Sequence, residues 1–329
     1  MSLNYGKYRN LVDEIKLGKI LSSTNVVITS LKALKELVKN SSSLDKLIPT
    51  YVKIAKDLIA ARPASALLLN SIREVTSNLV NIVDKCKSLQ EIKENFYISV
   101  DNLINNILNV NKTVAKIAAK RVMDEDTIMT SSYSTIVLET LKNVVKDGKR
   151  ITVYVPESRP RSEGVVLAKE LASMGINTVL FVDSATRYMM KDVDKILTSS
   201  EAIAANGAVI NKVGTSQIAL AAHEARVRFF VISPTNKFNP ETLLGELVEL
   251  AKVKLELNLE EKYMRNINAI SPLFDVTPPE YVDAIITERG LIAPQAVAIV
   301  IREIYGWPPV IPSIEEELRR LRNVVEQRG

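Results

Sequence analysis
Apolar residues recur at helical spacing through the first third of the chain and then give way to short β-branched runs. Val27, Leu31, Leu34 and Val38 fall on one face of a segment that the serines at 41–43 bring to an end. Leu47, Tyr51, Ile54 and Leu58 repeat that spacing up to Pro63, where a helix must stop. With its φ already fixed, Pro63 is suited to open the next helix, through ALLLNSIREVTSNLVNIVDKC. A fourth helix is expected over roughly residues 88–121. No period-2 segment interrupts this region, so residues 1–122 are expected to form an all-α domain of about four or five helices.

From residue 127 the pattern changes. SSYSTIVLETLKNVVKDG predicts a helix ending at Gly148 in a left-handed cap. β-Branched runs at 151–155, 178–182, 193–197, 207–210 and 228–233 then alternate with helical segments, as strands covered on both faces by crossover helices do. PLFDVTPPEYVDAIITERG reads as a further strand-turn-helix unit, and IEEELRRLRNVVEQRG as a charged C-terminal helix. The expected fold class is α/β: a helical domain to residue 122, then a mainly parallel sheet domain over 123–329.

Composition narrows the function classes. No uncharged apolar run in the 329 residues reaches the roughly 18 that a membrane helix needs, and the N-terminus shows no signal-peptide pattern. A single cysteine, Cys86, and a single histidine, His223, argue against disulfides and a transition-metal centre. No metal or other cofactor is expected, and the expected compartment is the cytoplasm. The net charge of +5 is spread along the chain, without aromatic RNA-binding motifs or zinc fingers, so no sequence-specific nucleic-acid contact is expected.

The candidate chemistry lies in three loops that follow β-branched runs. ITVYVPESRPRSEG presents Glu157, Arg159 and Arg161, ANGAVINKVGTSQ presents Asn211 and Lys212, and RFFVISPTNKF ends in Thr235, Asn236 and Lys237. Strand carboxyl ends and helix N-termini of an open parallel sheet form a ligand crevice, and three basic loops there point to a phosphate-bearing ligand. Arg159 and Arg161 also fit an ordinary solvated loop. Arg62 either caps the carbonyls of the preceding helix or holds a ligand. Cys86 and His223 read as structural. Lys32, Lys35, Lys39, Lys53 and Lys56 form basic helix faces suited to an acidic protein surface. Neither GxGxxG nor a Walker-type loop is present.

ARPASALLLNSIREV, ESRPRSEG, LAKELASMGI, LFVDSA, NGAVINKVGT, NKF and FDVTPPEYVDAIITERG follow one another between residues 60 and 307. In that order they resemble the regulatory alpha/beta/delta subunit family of translation initiation factor 2B, which shares its fold with ribose-1,5-bisphosphate and methylthioribose-1-phosphate isomerases. The resemblance implies a helical N-terminal domain, a Rossmann-like C-terminal domain and a homodimer formed through the latter. Where the isomerase pattern has a cysteine after a Thr-His pair, this chain has Ser132. Where it has Gly-Ala-Asp, this chain has Ser199-Ser200-Glu201, and Leu21-Ser22-Ser23-Thr24 replaces an Arg-Gly-Ala anion loop. Isomerisation needs a group that gives and takes a proton near neutrality. A thiol can be tuned there, whereas a serine without an activating base cannot. Glu for Asp also shifts a carboxylate by a methylene, and about 1 Å of displacement can lower rates roughly 100-fold.

The expectation is therefore a non-catalytic, archaeal-type regulatory subunit. It would bind translation initiation factor 2 through that factor's alpha subunit and sense a sugar phosphate or nucleotide monophosphate. Arg159, Arg161, Asn211, Lys212 and Lys237 would hold the ligand. The alternatives are a sugar-phosphate isomerase of the ribose-1,5-bisphosphate type, and a nucleotide-sensing regulator unconnected with translation.

Overall fold
A computed structural model describes residues 5–327 except 247, 256–259, 261–262, 264 and 308–310. Helices α1 (Tyr5–Lys16), α2 (Ser23–Asn40), α3 (Leu44–Ala61), α4 (Ala66–Lys85) and α5 (Leu89–Ala119) build the helical layer. Ser22 and Ser88 cap α2 and α5 by accepting from Asn25 N and Glu91 N. The apolar faces read from the sequence are buried against one another, Val27, Leu31, Leu34 and Val38 on α2 and Leu47, Tyr51, Ile54 and Leu58 on α3. Cys86 lies in the same core. Pro63 does not open α4. Ser65 N bonds back to Arg62 O at 3.0 Å, and that turn delays the helix to Ala66.

Further helices among the described residues are α6 (Thr135–Lys146), α7 (Glu163–Ser173), α8 (Thr186–Met189), α9 (Thr215–Ala225), α10 (Val297–Tyr305) and α11 (Ile314–Glu326). Strands β1 (Thr127–Met129), β2 (Thr152–Pro156), β3 (Asn177–Phe181), β4 (Lys195–Ser199), β7 (Arg228–Ile232), β12 (Ala284–Thr287) and β13 (Gly290–Ile292) form the main sheet. Its order is β13-β12-β7-β4-β1-β2-β3, and every pair except β12–β13 is parallel. One face packs against α6, α7 and the end of α5, and the other against α9 and α10. The chain is thus α/β, with a helical N-terminal region followed by a parallel-dominated, Rossmann-like sheet. α11 folds back so that Leu318 and Leu321 join the core of the helical layer.

Two expected elements differ. The run at 207–210 does not enter the main sheet. Strands β5 (Ala202–Ala204) and β6 (Val209–Lys212) make an antiparallel hairpin, and with β8 (Phe238–Asn239) and β11 (Phe274–Thr277) they form a second sheet, β11-β6-β5-β8. Asn206-Gly207 makes the turn. Gly207 has φ +85°, and a Cβ there would meet Pro294 O at 2.3 Å. The unit at 274–290 contains no α-helix: after a single 3-10 turn at Pro279–Tyr281 the β-branched run returns to the main sheet as β12 and turns at Gly290 into β13. A short pair, β9 (Lys252–Lys254) and β10 (Ile270–Pro272), lies apart. Among the described residues, no helix is long and apolar enough to cross a membrane.

Candidate functional site
From β1 the chain winds outward through β2 to β3, then crosses back to β4 and winds the other way through β7 to β12. The reversal lies between β1 and β4, and ligands of open α/β sheets bind beyond the carboxyl ends of strands at such a point. Ser132 follows β1 and Glu201 follows β4, so both sit at the reversal. The loops after β2 and β7 add Arg161 and Lys237, and the last residue of β6 adds Lys212. The helical layer closes the crevice from above with residues 21–24 and Arg62.

Ionisable groups meet there out of solvent. Arg62 grips Glu201 with two parallel bonds, Nε to Oε1 at 2.7 Å and Nη2 to Oε2 at 2.8 Å, and both residues are buried. Lys212 Nζ donates to Glu163 Oε1 at 2.7 Å. Glu163 Oε2 accepts a hydrogen bond from Ser132 Oγ. Lys237 Nζ donates to Ser200 O at 2.7 Å. Burial by itself would raise the Glu201 pKa. The charge and hydrogen bonds of Arg62, helped by Lys237 and Lys212, outweigh it and hold the carboxyl down at about 2. Burial lowers Lys237 to about 8 against the pull of Glu201, and it lowers Lys212 as well, with Arg62 adding to the effect. Ionised, these buried groups are three cations (Arg62, Lys212, Lys237) against two carboxylates (Glu163, Glu201), which leaves one positive charge unbalanced.

Backbone strain shapes the same place. Ser132, Ser158 and Ser162 have φ of +58°, +60° and +53°, a region serine seldom occupies. Ser158 Oγ accepts from Ser132 N at 2.8 Å, and Asp183 fixes its loop by accepting from Ser158 N and Arg159 N, each at 2.8 Å. At the rim, Arg161 Nη2 donates to Lys16 O at 3.1 Å. Gly18 lies beneath it at a φ of +67°, a conformation that favours glycine. The cleft itself holds only about 20 Å³ of free space, close to one water molecule.

Ser132, Glu201, Asn211, Lys212 and Lys237 thus come together, and Arg161 stands at the entrance. Arg159 is exposed and lines a small neighbouring pocket with Arg161, Glu163 and Lys212. The side chain of Asn211 is engaged with Thr198 Oγ1 at 3.2 Å and Thr215 Oγ1 at 3.1 Å, so it pins β6 to its neighbours. The amides expected to receive a phosphate at the start of α9 are already occupied. Asp275 Oδ2 accepts from Gly214 N at 2.7 Å and Ser216 N at 3.1 Å, and burial pushes this carboxyl up to about 6. Arg62 reads from the sequence as either a cap or a ligand residue, and Glu163 carries no local signal of a role in the site. Arg62 does bond Ile59 O through its own amide, as a cap would, but its side chain crosses to Glu201. Glu163 opens α7, where a carboxylate reads as a partner of the helix dipole. Its bond to Ser132 also corrects the premise that this serine has no basic neighbour. On the basic helical face, Lys35 is paired with Asp101 at 2.5 Å and lies 4.1 Å from the Tyr97 ring centre. His223 is exposed and packs on Tyr281, away from the cleft.

Comparison with known proteins matches residues 19–294 to the initiation factor 2 subunit family. A ribose 1,5-bisphosphate isomerase of Methanocaldococcus jannaschii is 38% identical over 90% of this chain and 94% of its own length. The solved translation initiation factor eIF-2B of Pyrococcus horikoshii superposes with a TM-score of 0.76 at 26% identity, over 88% of this chain and 97% of that one. The 5-methylthioribose 1-phosphate isomerase from the same organism shares the fold, with a TM-score of 0.73 at 20% identity over 90% and 88% of the two chains. Six curated archaeal relatives at 32–40% identity are named ribose 1,5-bisphosphate isomerase. They overturn the expectation of a non-catalytic regulatory subunit, which rested on the replaced cysteine and aspartate. The chain belongs to the initiation factor 2 subunit family.

Proposed function
We propose that this protein is a sugar-phosphate isomerase of the ribose 1,5-bisphosphate type, interconverting a phosphorylated aldose and its ketose. The observation that carries this reading is the buried cluster with an unbalanced positive charge at the sheet's reversal point. Such a cluster favours an anionic ligand, and it sits against the serine and carboxylate that can move protons. Lys212 and Lys237 supply charge for the phosphate groups, with Arg161 at the rim. Lys237, at about 8, is also the group best matched to giving and taking a proton near neutrality. Glu201, at about 2, stays ionised throughout and acts by fixing Arg62 and opposing the lysines. The names of the isomerase relatives support the same substrate class.

The test is incubation of the purified protein with ribose 1,5-bisphosphate, with the carbonyl product followed by ¹³C NMR. A ketose bisphosphate signal that disappears in Lys237→Met is expected. Ketose formation no faster than in buffer would reject the reading.

A further inference from the structure
A serine hydroxyl ionises far above neutrality and by itself carries no proton at useful rates. In this chain its environment supplies what it lacks. Ser132 Oγ donates to Glu163 Oε2, and both residues are 3% exposed. The other oxygen of Glu163 is held by Lys212 Nζ at 2.7 Å, which fixes the carboxylate plane. The strained φ of Ser132 and the hydrogen bond its backbone N–H donates to Ser158 Oγ keep the hydroxyl at the cleft. A hydroxyl already donating to a carboxylate keeps its lone pairs for a proton arriving from the other side.

We propose that Glu163 acts through Ser132 as a proton relay, with Ser132 Oγ the atom that meets the sugar. The proposal rests on the isomerase reading above. The sugar hydroxyl that becomes the carbonyl passes its proton to Ser132 Oγ as the Ser132 proton moves to Glu163 Oε2. The electron pair of that O–H bond becomes the second C–O bond. The hydrogen on the same carbon moves with its pair to the neighbouring carbon. The C–O ring bond broken there leaves its pair on oxygen, which takes a proton from the Lys237 ammonium. Glu163 ends protonated and Lys237 neutral, and proton exchange with water resets both. Ser132 never carries a charge, so its high pKa is no obstacle. Glu163 does not touch the sugar, and is a positioning and relay residue.

A cysteine separates a relay from a merely structural role, because a thiol ionises near 8.5 without help. Glu163→Gln, Ser132→Cys and the double variant are compared with the wild type for kcat, KM and pH–rate profile on ribose 1,5-bisphosphate. Glu163→Gln is expected to lower kcat by about 100-fold or more, in the range of lost general acid–base catalysis, with KM unchanged or lower because Lys212 loses its competing carboxylate. The double variant is expected to regain at least roughly a tenth of the wild-type kcat, with its rate rising toward the thiol pKa. Full kcat in Glu163→Gln, or a double variant as slow as Glu163→Gln, overturns the relay. If Glu163→Gln does not fold, Ser132→Ala and Ser132→Cys decide. Loss in the first and activity with an alkaline-shifted profile in the second support the relay, and full activity in Ser132→Ala removes it. A wild type that binds the substrate but forms no ketose rejects the isomerase reading itself. A wild type that turns over while Glu163→Gln turns over equally rejects only the relay.

Discussion

Replacing Glu201 by glutamine tests the buried cluster most directly. The change keeps the side-chain volume but removes the charge that faces Arg62, and both partners are almost fully buried. Breaking a buried ion pair by removing one member typically destabilises by about 3–5 kcal/mol, because the surviving charge is left without solvent or partner. The acid–base behaviour of the carboxyl gives a similar figure. A fall from its ordinary 4.5 to about 2, at about 1.4 kcal/mol per pH unit, corresponds to roughly 3 kcal/mol. The sign is that of a depressed acid: this stabilisation is present above pH 4.5 and is lost as pH falls toward 2. The loss also leaves Lys212 and Lys237 with one counter-charge fewer. Urea unfolding at pH 7 should therefore show a lower midpoint with an unchanged slope. In Arg62→Met/Glu201→Leu, which removes both charges, stability should return close to the wild type. A loss under about 1 kcal/mol in Glu201→Gln, or a double variant no better than the single one, would refute this account of the cluster.

The same physics predicts the behaviour of three other groups. Asp275, raised to about 6 by burial, carries a penalty that is present above pH 6 and gone below 3.8. Its contribution should make the wild type more stable by up to about 3 kcal/mol as pH falls from 7 to 4. Asp275→Asn should lack that slope in urea titrations, and an unchanged slope would exclude the assignment. Lys237, lowered to about 8, carries a penalty below pH 8 that fades as pH rises toward 10.5. Lys237→Met should gain up to about 3 kcal/mol at pH 7, yet lose the thermal shift that ribose 1,5-bisphosphate gives the wild type; a retained shift would clear Lys237 of a binding role. The α/β layer leaves Val182, Tyr188, Ile299 and Trp307 more than half exposed. A two-fold dimer covering such side chains is expected by light scattering at micromolar concentration, and a monomer alone would refute it.

The helical layer was legible because its burial follows one short-range period, with the residues of α2 and α3 facing one another as their spacing requires. In the sheets, β2, β3, β4 and β7 were legible strand by strand, whereas β12 read as part of a helix, β13 was not anticipated, and β1 and β6 failed for two further reasons. β1 is only three residues long, too short to display a period, although it is a central strand. β6 is buried along its whole length and so imitates a parallel core strand, yet Asn206-Gly207 just before it was a hairpin signal. Of the clustered lysines, Lys237 follows the parallel strand β7 as its sequence position implied, whereas Lys212 closes β6 in the second sheet and reaches the cluster from there. Arg62 could not be assigned, since its partner Glu201 is 139 residues away. Nothing local separates an arginine that ends a helix from one that crosses to another layer.

The misreading of Ser132 has the same root and a chemical consequence. Judged within its own loop, the serine has no base. Folded, it is the outer member of a chain that runs from Lys212 through Glu163 to the hydroxyl. The two buried carboxylates divide the work by their partners. Glu201 gives both oxygens to one guanidinium and is held ionised, whereas Glu163 splits its oxygens between an ammonium and a hydroxyl. A phosphate entering the cleft competes with Glu163 for Lys212. Lys212 turning toward the phosphate would free Glu163 Oε1 while Ser132 Oγ still donates to Oε2. The cleft is too small for the sugar as it stands, so entry must also part residues 21–24 and Arg62 from the strand ends. Arg62 is tied across that boundary to Glu201, and an anion entering the cleft would compete with that carboxylate for the guanidinium.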